Sequence, residues 1–352
     1  MYNVHLMRRK IKRLLFRVFV SLLICSVLVM GLIIFGTGKP PAAAKAITDP
    51  FASIDEHALP ELLRYKARDG ARLSYREYRA AGQQVAVLIH GSSGSSVDMH
   101  PLALALQKAD ISVLVPDLRG HGANRPHGDI AYVGQLDDDL ADFISRKKPD
   151  LPNSVWTILG FSSGSAFALR IAAAMPLGQA VDRYLLVSPY LRYNAPSVRQ
   201  SESRAQPEAS ASAPTEPQSW AAASTGRIIG LTILNHFGVH CWDGLPVLAF
   251  PVPANTDSAT QTYSWRMQRN FGADDDYLAD IRRAARPFQV FVGGSDEILD
   301  AEKLKIEFHS QRPDVPVSIV SGMGHSDMVT QPDAIRALVA SFNEGRAGQR
   351  PL

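Results

Sequence analysis

The sequence predicts an α/β protein with a mostly parallel, doubly wound sheet. Short apolar runs rich in β-branched residues recur along the chain, without the polar alternation of half-exposed strands. Helix-forming stretches separate these runs, and this order is typical of parallel sheets covered on both faces. The predicted strands are a hairpin, Leu63–Ala67 and Arg72–Tyr78, followed by Val85–Ile89, Ser112–Val115, Val155–Leu159, Tyr184–Val187, Phe288–Val292 and Val317–Val320. The predicted helices are Met99–Lys108, Gly134–Arg146, Ser163–Ala174 and Ala301–Ser310.

The N-terminus has the pattern of a single-pass membrane anchor. Val18–Phe35 is a run of 18 residues without a charge, which reaches the lower length limit of a transmembrane helix. Residues 1–17 carry six Lys or Arg and no acid, so we expect this basic segment to stay in the cytoplasm. The rest of the chain would then lie on the extracytoplasmic side. The alternative is a cleaved signal peptide, with Ala44-Lys-Ala46 as cleavage site and Ile47 as the mature start.

Outside residues 1–17 the chain has 31 basic and 34 acidic residues, so its composition predicts no binding to nucleic acid. The two cysteines, Cys25 and Cys241, are not expected to form a disulfide. Cys241 lies near His236 and His240, but the set lacks a fourth ligand, and we interpret Cys241 as a small buried thiol. The sequence predicts no metal site and no cofactor.

The chain is predicted to contain one core domain interrupted by an insertion. A linker rich in Gly, Pro and Ala (36–60) leads into the core, which comprises 61–190 and 286–347. Residues 191–285 form the insertion, a lid over one end of the sheet. Within it, 195–224 is dominated by Ala, Ser, Pro, Gln and Glu and is predicted to be flexible.

Three further features of the insertion carry predictions. Asp275–Ala285 is predicted to be helical, and the acidic run Asp274–Asp276 suits a helix N-terminus better than a metal site. The apolar stretch Gly244–Pro253 either lines a pocket for an acyl chain or packs in the interior.

Three predicted strands are each followed by a side chain used in nucleophilic catalysis. Ser162 lies in Gly160–Gly164, Asp296 in Gly293–Glu297 and His325 in Ser321–His325. The carboxyl ends of parallel strands meet at one edge of a sheet, so these loops should converge. The order serine, acid, histidine matches a known order of the catalytic triad. Glu297 remains an alternative to Asp296, since either carboxylate can orient an imidazole.

Spacing separates the two adjacent serines. A sharp strand-to-helix turn leaves room only for small residues two positions before and after the nucleophile. For Ser162 these positions hold Gly160 and Gly164, whereas for Ser163 they would hold Phe161 and Ser165. Ser162 is therefore the predicted nucleophile. The backbone N–H of Ser163, at the start of a helix, and that of Ser92 are the predicted oxyanion donors.

Polar residues of two neighbouring loops have structural roles in this interpretation. His90 and His121 are expected to brace their loops by hydrogen bonds, and Asp117 to cap or position its own loop.

The sequence resembles the α/β-hydrolase family, and specifically its serine-hydrolase branch of monoacylglycerol lipases and lysophospholipases. The segments that carry the resemblance are LIHGSSGSS, VPDLRGHGAN, LGFSSGS, VGGSDEILD and GMGHSDM, within about 61–190 and 286–345. The resemblance implies a mostly parallel eight-stranded core with flanking helices, with Ser162, Asp296 and His325 as triad and Ser92 and Ser163 at the oxyanion hole. The anchor and the insertion depart from it.

The expected function is a membrane-anchored serine hydrolase that cleaves carboxylic esters of lipids or small lipophilic molecules. The nucleophile would form an acyl-enzyme that water then releases. Serine aminopeptidases, amidases and thioesterases share this apparatus, and a non-catalytic anchored scaffold is the alternative from another class.

Overall fold

The computed structural model describes residues 2–38, 45–199, 220–252 and 259–347. An eight-stranded sheet forms its centre, in the spatial order β1-β2-β4-β3-β5-β6-β10-β11. β2 runs antiparallel to both of its neighbours, β1 and β4, and the pairs from β4 to β11 are parallel. The strands of this sheet are β1 Leu63–Lys66, β2 Arg72–Tyr78, β3 Gln84–Ile89, β4 Ile111–Pro116, β5 Val155–Phe161, β6 Arg183–Val187, β10 Phe288–Gly293 and β11 Val317–Val320. A smaller sheet contains β7 Ala222–Ala223, β8 Pro246–Ala249 and β9 Thr262–Ser264.

Eleven α-helices occur in the described part of the chain. They are α1 Tyr2–Phe35, α2 Lys45–Ala52, α3 His100–Lys108, α4 Gln135–Lys147, α5 Ser163–Ala173, α6 Thr225–His236, α7 Trp265–Asn270, α8 Tyr277–Arg283, α9 Ala301–Gln311, α10 Asp327–Thr330 and α11 Pro332–Ala347.

The core lies on both faces of the large sheet, as expected for strands made of continuous apolar runs. In β3, Val85, Val87 and Ile89 point into the cluster that holds Phe143 and Trp156. Their neighbours Ala86 and Leu88 point into the opposite cluster, which includes α3 and α11. Both faces of the sheet are therefore covered, and its functional groups lie at the ends of the strands.

The fold class and all eight predicted strands are confirmed, with bounds that differ by at most two residues at either end. Two segments contain structure that the sequence did not predict. The predicted linker 36–60 contains α2, and Phe51 of this helix makes an edge contact with Phe161 at 6.3 Å. The insertion contains its own three-stranded sheet and the helices α6 and α7, which its sequence did not predict.

Both described ends of the segment 195–224 are held by backbone hydrogen bonds rather than flexible. Val198 forms a β-bridge with Leu299, and Arg199 N–H donates to the Ile298 carbonyl at 2.8 Å. At the other end, Ala222–Ala223 pairs with β8. Residues 200–219, where the prediction of flexibility is centred, lie outside the described residues.

Helix α1 extends beyond the predicted span of 18–35. The stretch Met7–Phe35 is long and apolar enough to cross a membrane, and its side chains are almost entirely exposed. A signal sequence near an N-terminus can meet the same criterion of length and composition. Residues of the basic segment 1–17 continue the same helix from Tyr2.

Candidate active site

Ser162 occupies a sharp turn between β5 and α5. Its backbone has φ 54° and ψ −121°, a left-handed conformation that is unfavourable for a residue with a side chain. A Cβ at Gly160 would lie 2.3 Å from the Gly164 carbonyl oxygen, and one at Gly164 would lie 2.3 Å from the His90 carbonyl oxygen. The two glycines are therefore required by the backbone contacts of this turn, as the spacing predicted.

The three loop residues singled out from the sequence form a continuous hydrogen-bond path. His325 Nδ1 lies 2.8 Å from Asp296 Oδ2, and because a carboxylate only accepts, Nδ1 carries the hydrogen. Nε2 is then free to accept from the Ser162 hydroxyl, whose Oγ is 2.9 Å away. The arrangement can take the proton of a serine that attacks an acyl carbon.

Burial and charge act in opposite directions on this pair. Burial alone would lower the pKa of His325, but the charge and hydrogen bond of Asp296 raise it above its ordinary value of 6.5. Burial alone would likewise raise the pKa of Asp296, but His325 and two backbone N–H groups hold it below 3.8. The donors are the amides of Ile298 and Leu299, which bind Asp296 Oδ1 at 2.9 and 2.8 Å. The carboxylate thus stays ionised next to the imidazole.

Glu297, the alternative acid, does not contact the imidazole. Its Oε2 accepts from the backbone N–H of His325 at 2.9 Å, so it holds the histidine loop. The acid loop is held in turn by Arg199 of the insertion, whose Nε donates to the Asp296 carbonyl at 2.9 Å. The structure therefore brings Asp296, and not Glu297, to the histidine ring.

The two residues whose backbone N–H groups are the predicted oxyanion donors are in side-chain contact. Ser92 Oγ and Ser163 Oγ are 2.6 Å apart, across the gap between the loop after β3 and the start of α5. The N–H of Ser163 is the first of the helix, and such groups have no partner within the helix. The loop also approaches the nucleophile closely, since a Cβ at Gly91 would lie 3.3 Å from Ser162 Cβ.

Tyr263 of the insertion is a functional candidate that sequence reasoning missed. Its hydroxyl accepts from the backbone N–H of Ser93 at 2.7 Å, next to the predicted oxyanion donor Ser92. It donates to His121 Nε2 at 2.6 Å, because His121 Nδ1–H binds the Arg119 carbonyl. The hydroxyl thus connects the lid to the loop after β3 and to the loop after β4.

The predicted bracing histidines make the expected hydrogen bonds. His90 Nδ1–H donates to the Gly91 carbonyl at 2.9 Å, and its Nε2 accepts from Leu118 N–H at 3.2 Å. Burial lowers the pKa of both His90 and His121, so both rings are neutral braces. Asp117 has a wider role than predicted, since it accepts from Ala123 N–H in its own loop and from Ser96 N–H in the loop after β3.

Comparisons with known proteins agree with this architecture. A family model described as "Alpha/beta hydrolase family" matches residues 86–338. The chain belongs to the α/β hydrolase family. No curated protein matches it by sequence.

Solved structures resemble this hydrolase in fold. Monoglyceride lipase from Saccharomyces cerevisiae, a soluble variant in complex with a substrate analogue, has 16% identity and a TM-score of 0.62 over 84% of this chain and 98% of that chain. The monoacylglycerol lipase of Paleococcus ferrophilus has 16% identity and a TM-score of 0.55 over 78% and 99%. The thioesterase domain from the curacin biosynthetic pathway has 16% identity and a TM-score of 0.50 over 80% and 98%. At such low identities the likeness shows the fold alone.

A row of aromatic rings runs from the turn of Ser162 to the loop of Ser93. Tyr190 N–H donates to the Ser162 carbonyl at 3.3 Å, and its ring lies 4.8 Å from Trp220. The ring centroids of Trp220 and Phe250 are 6.0 Å apart in a stacked arrangement, and those of Phe250 and Tyr263 are 4.7 Å apart in an edge contact. Trp220 and Phe250 of the insertion thus connect Tyr190, next to the turn of Ser162, with Tyr263, which binds the loop of Ser93. Phe250 and Val247 are buried, so these two side chains of the stretch 244–253 pack in the interior; Pro253 lies outside the described residues.

Two further predictions about the insertion have clear outcomes. Asp276 caps α8 by accepting from Ala279 N–H at 3.0 Å, which confirms that the acidic run begins a helix. Cys241 is exposed rather than buried, which corrects the interpretation as a buried thiol.

Proposed function

We propose that this hydrolase cleaves carboxylic esters through an acyl-enzyme on Ser162, with His325 as general base and Asp296 as its orienting acid. The observation that carries the proposal is the hydrogen-bond path from Ser162 through His325 to Asp296, with its serine in a left-handed turn. A serine hydroxyl is a weak nucleophile unless a neighbouring base takes its proton as it attacks. Each link of that path has the donor and acceptor needed for this transfer.

In the first step Ser162 Oγ attacks the ester carbonyl carbon while its proton passes to His325 Nε2. The carbonyl oxygen becomes an oxyanion, and the N–H groups of Ser92 and Ser163 stabilise it. The protonated imidazole then donates its proton to the alcohol oxygen as the carbon–oxygen bond breaks. Asp296 stabilises the imidazolium during this interval, in agreement with the raised pKa of His325.

In the second step water replaces the alcohol. His325 Nε2 takes a proton from the water as it attacks the acyl carbon, and returns it to Ser162 Oγ as the acyl–enzyme bond breaks. The products are a carboxylic acid and free enzyme. The residues named here suffice for both steps.

The lid favours an ester with an apolar acyl or alcohol group. Tyr190 and Trp220 lie beside the turn, are half-buried and carry uncharged aromatic rings. We further propose that α1 anchors the enzyme in a membrane with its N-terminus in the cytoplasm. The six basic residues of 1–17 support this orientation.

The proposal is tested by combining an active-site label with a substrate panel. A fluorophosphonate probe should label the wild-type enzyme at Ser162 and leave Ser162→Ala unlabelled. p-Nitrophenyl esters of graded chain length should be cleaved faster than aminoacyl anilides and acyl thioesters. Preference for anilides or thioesters would replace the ester assignment by a peptidase or thioesterase, and absence of labelling in both proteins would favour a scaffold.

A further inference from the structure

The last turn of α1 is bound to the lid rather than free. Arg227 N–H donates to the Gly36 carbonyl at 3.3 Å, and Gly38 N–H donates to Ser224 Oγ at 2.9 Å. Ile33 of α1 is buried against Leu231, Val247 and Trp265. The chain therefore leaves its candidate membrane span in contact with the insertion, and not as an independent tether.

Two glycines of α6 allow its backbone to approach α1 closely. A Cβ at Gly226 would lie 2.9 Å from Gly36 Cα, and one at Gly230 would lie 2.6 Å from Ile33 Cγ1 and 3.2 Å from the Val29 carbonyl oxygen. Gly226 and Gly230 have the spacing of two small residues by which helices pack in membranes. Since Gly226 faces Gly36 and Gly230 faces Ile33 and Val29, α6 runs back along α1 in the opposite direction.

Arg227 makes this contact specific. Its Nε donates to the Ile33 carbonyl at 2.9 Å, and its Nη1 donates to the Pro246 carbonyl at 2.8 Å. The last carbonyls of a helix lack partners within the helix, and a cation there also complements the helix dipole. The arginine thus caps α1 and ties its end to the lid strand β8.

The surface of α6 and of the segment after it that α1 leaves uncovered includes four large apolar side chains, next to the exposed Thr225, Thr232 and His236. Ile229 on the helix and Phe237, Val239 and Trp242 just beyond it are exposed, Phe237 by 76%. Phe35, at the end of α1 that packs against α6, is 83% exposed as well. From Gly36 back to Val29 a helix rises about 10 Å, which is a large part of one membrane leaflet.

We propose that α6 and the following segment 237–242 lie in the outer leaflet of the membrane, packed antiparallel against the outer turns of α1, with lipid acyl chains as the partner of their exposed face. This inference rests on the proposed anchoring of α1. In addition to anchoring the enzyme, α1 then holds the lid at the depth in the membrane from which a lipophilic ester enters. The buried Ile33 contact further implies that α1 stays in the mature protein.

The natural Cys241 allows a direct test within full-length enzyme. In a Cys25→Ser background, Cys241 is labelled with bimane, and quenching of the bimane fluorescence is measured in phosphatidylcholine nanodiscs. The control carries the label at Ser145→Cys, in a protein that also has Cys25→Ser and Cys241→Ser. Ser145 is exposed near the far end of α4, whose start contacts the lid. We expect 5-doxyl-phosphatidylcholine to quench the Cys241 label at least threefold more than the control, and aqueous iodide to quench it less. Equal iodide quenching at both positions, without lipid quenching at Cys241, would overturn the inference.

A pair of glycine substitutions tests the helix contact. Gly230→Leu places a side chain where Ile33 lies, whereas a Cβ at Gly31 meets nothing within 4 Å, so Gly31→Leu is the matched control. In the labelled background Gly230→Leu should lose most of the lipid quenching and Gly31→Leu should keep it. Equal quenching in both variants contradicts the contact.

The readout does not depend on activity, so it separates this inference from the catalytic proposal. The circular-dichroism spectrum of each variant reports the fold, and the intact mass reports retention of α1. A mature start at Ile47 overturns the anchor and this inference together. An intact chain whose Cys241 is in water overturns this inference alone.

Discussion

Tyr263→Phe removes one hydroxyl that connects the lid to two loops of the active site. The substitution keeps the ring and its contact with Phe250, so its effect reports the hydrogen bonds. The backbone N–H of Ser93 loses its acceptor and His121 Nε2 loses its donor, and both groups are buried.

The magnitude follows from these two unpaired groups. A buried donor or acceptor left without a partner costs about 1–3 kcal/mol, so for two such groups we expect the free energy of unfolding to fall by about 2–6 kcal/mol. The released loop carries Ser92, and complete loss of one oxyanion donor lowers kcat by about 10²–10³-fold. Because the loop is displaced rather than removed, we expect kcat for a short-chain ester to fall by about 10-fold or more. KM should change little, since the lost interaction acts on the transition state.

Tyr184→Phe is the matched control. Tyr184 is equally buried, but its hydroxyl donates to the Gly178 carbonyl at 3.0 Å, away from the active site. Urea unfolding and steady-state hydrolysis are measured for both variants. The control should lose about 1 kcal/mol of stability and keep its kcat. If Tyr263→Phe loses stability yet retains kcat within twofold of the wild type, the hydroxyl has only a structural role and the reasoning fails.

Three other predictions concern the same loops. Ser162→Ala should lower kcat by at least about 10⁴-fold, whereas Ser163→Ala, which keeps the backbone N–H, should keep kcat within about tenfold of the wild type. Similar losses of kcat in both variants would reject the assignment of the two serines. Asp296→Asn should lower kcat by about 10⁴-fold and Glu297→Gln by far less. In the wild type, kcat/KM should rise with pH through the raised pKa of His325, and in Asp296→Asn this rise should move to lower pH. A rise of kcat/KM at the same pH in both proteins would contradict the electrostatic role of Asp296. Burial raises the pKa of Asp98, in the loop after β3, from 3.8 to about 7, so between these pH values the folded state holds a proton that the unfolded state has lost, and stability falls as pH rises. Asp98→Asn should therefore raise the free energy of unfolding at pH 8 by about one to a few kcal/mol and change it little at pH 4. Denaturation at both pH values checks this.

The sequence predicted those parts of the fold where one local rule decides the outcome. β-branched apolar runs located the strands of the large sheet, and backbone crowding around Gly160 and Gly164 distinguished Ser162 from Ser163. The sequence favoured Asp296 and kept Glu297 as an alternative, because only the direction of each side chain decides between them. In the structure the neighbours point apart, one to the imidazole and the other to the backbone.

The contacts that the sequence did not predict join positions far apart in the chain. Tyr263 and His121 are 142 positions apart, and nothing near Tyr263 marks it as a partner of a loop. The strands of the lid are two to four residues long, too short for a periodic pattern. Helix α2 contains Pro50 and lies in a segment rich in Gly, Pro and Ala, so local composition favoured a linker.

The insertion contacts the core at two loops of the proposed active site, so it supports these loops in addition to covering the end of the sheet. Tyr263 holds the oxyanion loop and Arg199 holds the loop of Asp296. A third attachment leads outward, where Leu231 and Val247 of the lid are completely buried with Ile33 of α1 in one cluster. Removal of α1 would expose this cluster on the same element that positions the oxyanion loop. The lid therefore needs α1 for its own packing, and loss of the anchor should disturb the active site as well as release the enzyme.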